Sequence, residues 1–281
     1  MALLWVAVRQ WIGWVSAVTV DHGFRPESAA EAAMVARVCA GLGVAHATLA
    51  WTGVKPRVNR AAAARHARYA LMAAWCRAEG IVWLLTAHHA DDQAETLLMR
   101  LARGAGVAGL SGIRAMRPLG GGVAVARPLL AARKADLVAL CEAESLAFID
   151  DPTNRDPAYD RTAARALLAA TPWLRAERLA ASAAHLADLE AALAWAAERA
   201  WAGRASTKNG ATIADADDLP RALRVRLLAR ALATVKPASA PRGPDLARLL
   251  ATLDAGTPAT LAGVRVEPGP PWRFTAETRG S

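Results

Sequence analysis

Lysine is nearly missing from this chain. Lys55, Lys134, Lys208 and Lys236 are the whole set, so almost all of the 34 basic residues are arginine. Against 25 acidic residues they leave a formal net charge of +9 and an isoelectric point near 10.4. So basic a balance calls for an acidic partner, nucleic acid first, and arginine forks suit phosphate. The alanine- and arginine-rich composition equally fits a GC-rich coding sequence, so charge alone does not single out RNA or DNA. Cysteine is scarce too. Cys39, Cys76 and Cys141 are odd in number and far apart, which argues against a disulfide framework and fits a reducing compartment. No CxxC occurs, which disfavours a structural zinc. No apolar run approaches membrane-spanning length. The apolar start, Met1 to Val8, has no preceding Lys or Arg and is broken by Arg9 and Gln10, unlike a secretory signal. A cytoplasmic protein without a membrane partner is expected.

What is present reads as alternating strands and helices. With 281 residues the chain can bury a real core and divide in two. Residues 1–11 read as a helix without an N-terminal cap. Strand patterns follow at 15–20, 44–49 and 81–85, the first and last apolar enough for burial on both faces, with helical patterns at 28–42, 59–80 and on through Arg103. This alternation predicts an α/β domain, a parallel sheet with helices on both faces, over residues 1–170. Gly104, Gly106, Gly109 and Gly112 match neither GxGxxG nor a Walker loop, so a flexible connection is expected there. A strand at 123–126, a helix at 133–144 and a turn at Asp150-Asp151-Pro152-Thr153-Asn154 come next. Residues 171–281 read as a smaller, mainly helical domain, with helices to about Ala202, at 219–234 and at 244–253, closing in a hairpin over 260–274.

The densest chemistry lies in Thr86-Ala-His-His-Ala-Asp-Asp-Gln-Ala-Glu-Thr96, at a junction of strand and helix. Ligands of open α/β sheets gather just beyond the carboxyl ends of strands. Asp92 and Glu95, three apart, share a helix face and could hold an ammonium group or a metal ion. The plainer reading is that Asp91 or Asp92 only caps the helix, with Glu95 imitating a capping box. His88 and His89 are neighbours rather than four apart, which weakens a zinc reading.

Four segments occur in order: Val20-Asp-His-Gly-Phe-Arg25, the Thr86–Thr96 run, Arg100-Leu-Ala-Arg-Gly104 and Asp151-Pro-Thr-Asn154. Together with Arg127-Pro-Leu-Leu130 and Thr260-Leu-Ala-Gly-Val264 they closely resemble tRNA(Ile)-lysidine synthases, of the PP-loop ATP pyrophosphatase superfamily. The resemblance implies a carbon–nitrogen ligase in tRNA processing. ATP, with Mg²⁺, would adenylate the wobble cytidine of a tRNA(Ile) with a CAU anticodon, and free lysine would displace AMP through its ε-amine. It implies Asp92 and Glu95 as catalytic residues that bind lysine, with Arg65 beside them in an Arg-x-x-Arg-Tyr segment. It implies Asp21, His22 and His88 at the ATP. Arg100, Arg103, Arg127, Arg161 and Arg165 become candidates for tRNA contact, and the second domain a tRNA-contacting one. No metal ligands are assigned.

The family's nucleotide loop, SGGxDS, is not in these 281 residues. In the family it follows the first strand and cradles the triphosphate with backbone N–H groups. The expectation is a start at an internal methionine, with a first strand and loop upstream and little or no ATP-dependent activity in this chain. A tRNA-binding remnant without catalysis is the alternative from another class. Within the superfamily, 2-thiolation is disfavoured by the absence of CxxC, and an ammonia-using synthetase fits Asp92 and Glu95 less well.

Overall fold

The fold is taken from a computed structural model, which describes residues 1–23, 28–53, 55–56, 58, 60–148, 160–208, 210–237 and 241–277. Phe24, Arg25 and the Asp150–Asn154 turn lie outside them. Among the described residues the chain forms two compact units: Met1–Ala105 with Gly109–His185, and Leu186–Ser281 with Gly106–Ala108. The composition changes near residue 170, whereas the division between units falls within a continuous helix.

The first unit opens with α1 (Ala2–Gln10) and β1 (Ser16–Asp21), followed by α2 (Ser28–Gly41), β2 (Ala45–Ala50) and α3 (Arg60–Ala78). Then come β3 (Trp83–Leu85), α4 (Ala90–Ala102), the short α5 (Val107–Leu110), whose first two residues group with the second unit, β4 (Met116–Gly120), β5 (Val123–Ala126), α6 (Lys134–Ala143) and α7 (Asp160–Ala170). β1 and β2 pair in parallel, as do β3 and β5, while β4 runs antiparallel to β5. The parallel pairs follow from helical crossovers, which return each strand in the same direction. α3 packs on β1, β3, β4 and β5. Its inner residues Tyr69, Met72 and Cys76 meet Leu84, Val123 and Val125 in one core. The three thiols, on α2, α3 and α6, are buried. Burial pushes the Cys39 and Cys76 thiols above their ordinary range.

Two strands expected to be buried on both faces are not. β1 is half-buried along its length, and Val82 and Trp83 are exposed beside a buried Leu84. Each has one hydrogen-bonded neighbour among the described strands, β2 for β1 and β5 for β3.

The second unit holds most of α8 (Ala176–Arg204), then β6 (Ala205–Lys208), β7 (Ala211–Ala214), α9 (Arg221–Val235) and α10 (Gly243–Asp254). β8 (Ala259–Leu261), β9 (Val264–Glu267) and β10 (Trp272–Ala276) complete it. Its helices are joined by a five-stranded antiparallel sheet, ordered β6-β7-β10-β9-β8. Leu228 and Leu232 of α9 and Leu250 of α10 bury against Val266 and Phe274 of that sheet. The expected closing hairpin is therefore part of a larger sheet. β6 and β7 are four residues each, too short for a clear alternation, although Asn209-Gly210 is a strong hairpin signal in sequence. No described helix is long and apolar enough to cross a membrane.

Candidate active site

α4 starts directly after β3, so its first turns stand at the strand's carboxyl end. The backbone N–H of His89 donates to the Asp92 carboxylate at 3.0 Å. Asp91 instead accepts from the backbone N–H of Lys134 at 2.7 Å, closing the start of α6. The capping reading holds for Asp92 alone, since Asp91 serves the start of α6 and Glu95 has another partner. α7 packs along α4 and carries Arg161 and Arg165 one turn apart. Arg161 bridges both carboxylates, its Nε donating to Glu95 and its NH2 to Asp92. Arg165 Nε donates to the second Glu95 oxygen at 2.6 Å. Glu95 is 3 % exposed. A carboxylate so buried is tolerable only when cations and hydrogen bonds compensate it, so the pair is built to hold positive nitrogen.

Beside this pair, Thr86 Oγ and His88 Nδ1 lie 3.1 Å apart. Burial pushes His88 from 6.5 down to about 4; the Asp92 carboxylate opposes the shift, and Arg127, Arg65 and Arg68 add to it. The imidazole is therefore neutral near pH 7. Arg127 is buried, with NH1 donating to the Arg114 carbonyl at 2.6 Å and NH2 to the Tyr69 hydroxyl at 3.4 Å. Arg65 lies over the Tyr69 ring at 5.3 Å.

Asp21 and His22 lie at a different place, the end of β1. Asp21 accepts from Ser28 Oγ at 2.6 Å and from the Gly23 N–H at 2.8 Å, and these bonds, the first above all, hold its carboxyl below the usual range. His22, Thr19, Val20, Ser28, Glu31 and Met34 line a cavity of about 310 Å³. Its mixed apolar and polar wall fits a nucleoside. Among the described residues no group of three or more His, Cys, Asp or Glu side chains could hold a metal ion. Mg²⁺ here fits only as a companion of phosphate oxygens and water, its usual manner of binding.

The expected tRNA arginines fare unequally. Arg161 and Arg165 are engaged with Asp92 and Glu95. Arg100 donates to the carbonyls of Gly109 and Gly112, at 2.6 and 2.9 Å, and so is turned inward. Arg127 is buried and bonded to the Arg114 carbonyl and the Tyr69 hydroxyl. Arg103 is exposed and paired with Asp160. The glycine loop is correspondingly pinned rather than loose. Gln93, which no sequence motif singles out, donates to the Ile113 carbonyl at 2.9 Å and accepts from the Ile113 N–H. Arg117 and Tyr69 also lay outside the expected site. Only the Arg-x-x-Arg-Tyr segment signalled the tyrosine, and Arg117 sits in a strand that its Pro118 and Gly120 conceal.

A PP-loop domain model matches residues 1–171. The tRNA(Ile)-lysidine synthase of Novosphingobium aromaticivorans is 49 % identical over 92 % of this chain and 79 % of its own length. The chain belongs to the tRNA(Ile)-lysidine synthase family. The synthase of Zymomonas mobilis, 41 % identical over 92 % of this chain and 80 % of its own, agrees. Among solved structures, the U34-tRNA thiolase NcsA of Methanococcus maripaludis, with its [4Fe-4S] cluster, matches at a TM-score of 0.54 over 66 % of this chain and 67 % of its own. At 16 % identity that likeness speaks for the fold alone.

Proposed function

We propose that the chain is a tRNA-modifying ligase that joins lysine to the wobble cytidine of tRNA(Ile) with a CAU anticodon. The observation that carries this reading is the buried Asp92–Glu95 pair, whose surroundings select positive nitrogen. In the first step the cytidine base oxygen attacks the α-phosphorus of ATP and pyrophosphate leaves. In the second, the ε-amine of lysine attacks the base carbon, and AMP departs with the bonding pair. Asp92 and Glu95 receive the ε-ammonium, with Arg161 giving way to it; one of the two carboxylates takes the proton that frees the amine lone pair, and the pair holds the amine toward the activated base. The cavity beside Asp21 and His22 takes the nucleoside of ATP, and Mg²⁺, when bound, neutralises the phosphates. The family membership and the PP-loop match support the ligase reading over a binding remnant. Sulfur transfer is weaker, because Cys39, Cys76 and Cys141 lie on three separate helices and form no CxxC.

The test is lysine- and tRNA-dependent pyrophosphate release, run on this chain and on a version extended upstream by a strand and an SGGxDS loop. Activity is expected in the extended version. There, Asp92→Asn and Glu95→Gln should each raise the lysine KM about 100-fold, from loss of a buried charge-assisted contact of roughly 3 kcal/mol. Unchanged lysidine formation at low lysine in both variants, with unchanged melting temperature, would remove the pocket from the mechanism.

A further inference from the structure

Four guanidinium groups converge on one phenol in the first unit. Tyr69, midway along α3, is 8 % exposed. Arg65 and Arg68, from the same helix, lie 5.3 and 5.7 Å from its ring centre, and Arg117 of β4 approaches to 5.3 Å. Arg127 reaches the hydroxyl from beyond β5. Among the described residues, none of these four arginines is paired with a carboxylate. Asp92 and Glu95 of α4 are already taken by Arg161 and Arg165.

Exposed cation–ring contacts are worth about 0.5–1 kcal/mol each, little against the mutual repulsion of four like charges around one ring. The Nε of buried Arg127 has no acceptor at all, a rare state for a buried donor. Both features disappear if an anion belongs there. A single carboxylate engages one guanidinium fork; four forks call for an oxyanion with more oxygens and more charge.

We propose that Arg65, Arg68, Arg117 and Arg127 form a binding site for a phosphate-type oxyanion, with Tyr69 as its floor. The anion is either the pyrophosphate portion of a nucleotide or a backbone phosphate of RNA. This moves Arg65 out of the lysine pocket. The inference uses neither Asp92 nor Glu95 and stands whether or not lysine is the substrate. The local potential agrees with it. Burial works to raise the Tyr69 phenol, yet the Arg127 hydrogen bond and the guanidiniums of Arg65, Arg127 and Arg68 together bring it below its ordinary value.

Tyr69 and Tyr159 are the two tyrosines of the chain, so Tyr159→Phe leaves one phenol to follow by ultraviolet absorbance. At constant ionic strength, saturating inorganic pyrophosphate should raise the Tyr69 titration midpoint, because an anion cancels the field that lowers it. Arg68 and Arg117 are exposed, and the double change Arg68→Ala/Arg117→Ala should weaken binding at least about tenfold. A parallel arm uses an unmodified tRNA transcript. A shift with pyrophosphate assigns the site to nucleotide phosphates, and a shift with tRNA alone assigns it to the RNA backbone. No shift with either, or undiminished binding in the double variant, overturns the site.

Discussion

His88 is a residue whose chemistry lies far from its ordinary state. Its half-buried imidazole feels the guanidiniums of Arg127, Arg65 and Arg68 and is lowered to about 4 in the folded chain, against 6.5 when unperturbed. The unfolded chain therefore binds a proton that the folded one refuses. Stability from this group is fully present above pH 6.5 and is lost progressively as the pH falls towards 4. The loss should amount to about 2–3 kcal/mol across that window, seen in urea unfolding, and His88→Gln should flatten it. At this scale the sequence was legible where spacing fixes direction: Asp92 and Glu95 do share a face. It was silent on what arrives from 60 residues or more away, such as Arg161 across the pair, because no local pattern records a long-range partner.

The elements were legible where periodicity is strong. The helices at 28–41, 60–78 and 90–102 and the strands at 45–50 and 123–126 lie where the apolar spacing put them. The α4–β4 connection was not, because glycine spacing reads as looseness when side chains from elsewhere do the fastening. Gly112 shows how tight that connection is. Its φ is +65°, and an added Cβ would collide with Gln93 Oε1 and come within 3.1 Å of Ala183 Cβ. Gly112→Ala should thus cost on the order of 2–3 kcal/mol, through backbone strain and a displaced Gln93. A melting temperature lowered by roughly 5–10 °C would register this; an unshifted one would mean that the connection is slack after all.

Over the whole molecule, the order of strands and helices declared the α/β class, and the motif series declared the family. The five-stranded sheet of the second unit did not show through, since its strands are only three to five residues long. The net charge of +9 pointed to an acidic partner without locating its seat, because most of the arginines it counts are engaged with carboxylates, carbonyls or rings. Cys39, Cys76 and Cys141 are buried, all within the first unit, and the second has no thiol. The chain thus carries an intrinsic clock for the opening of one unit alone. A thiol-reactive dye should modify the native protein roughly 100-fold or more slowly than the urea-unfolded one, at a pace set by how often each helix lifts from its seat. Modification of a single cysteine at the unfolded rate would reveal a helix that detaches by itself, while unfolding confined to the second unit would leave the clock still.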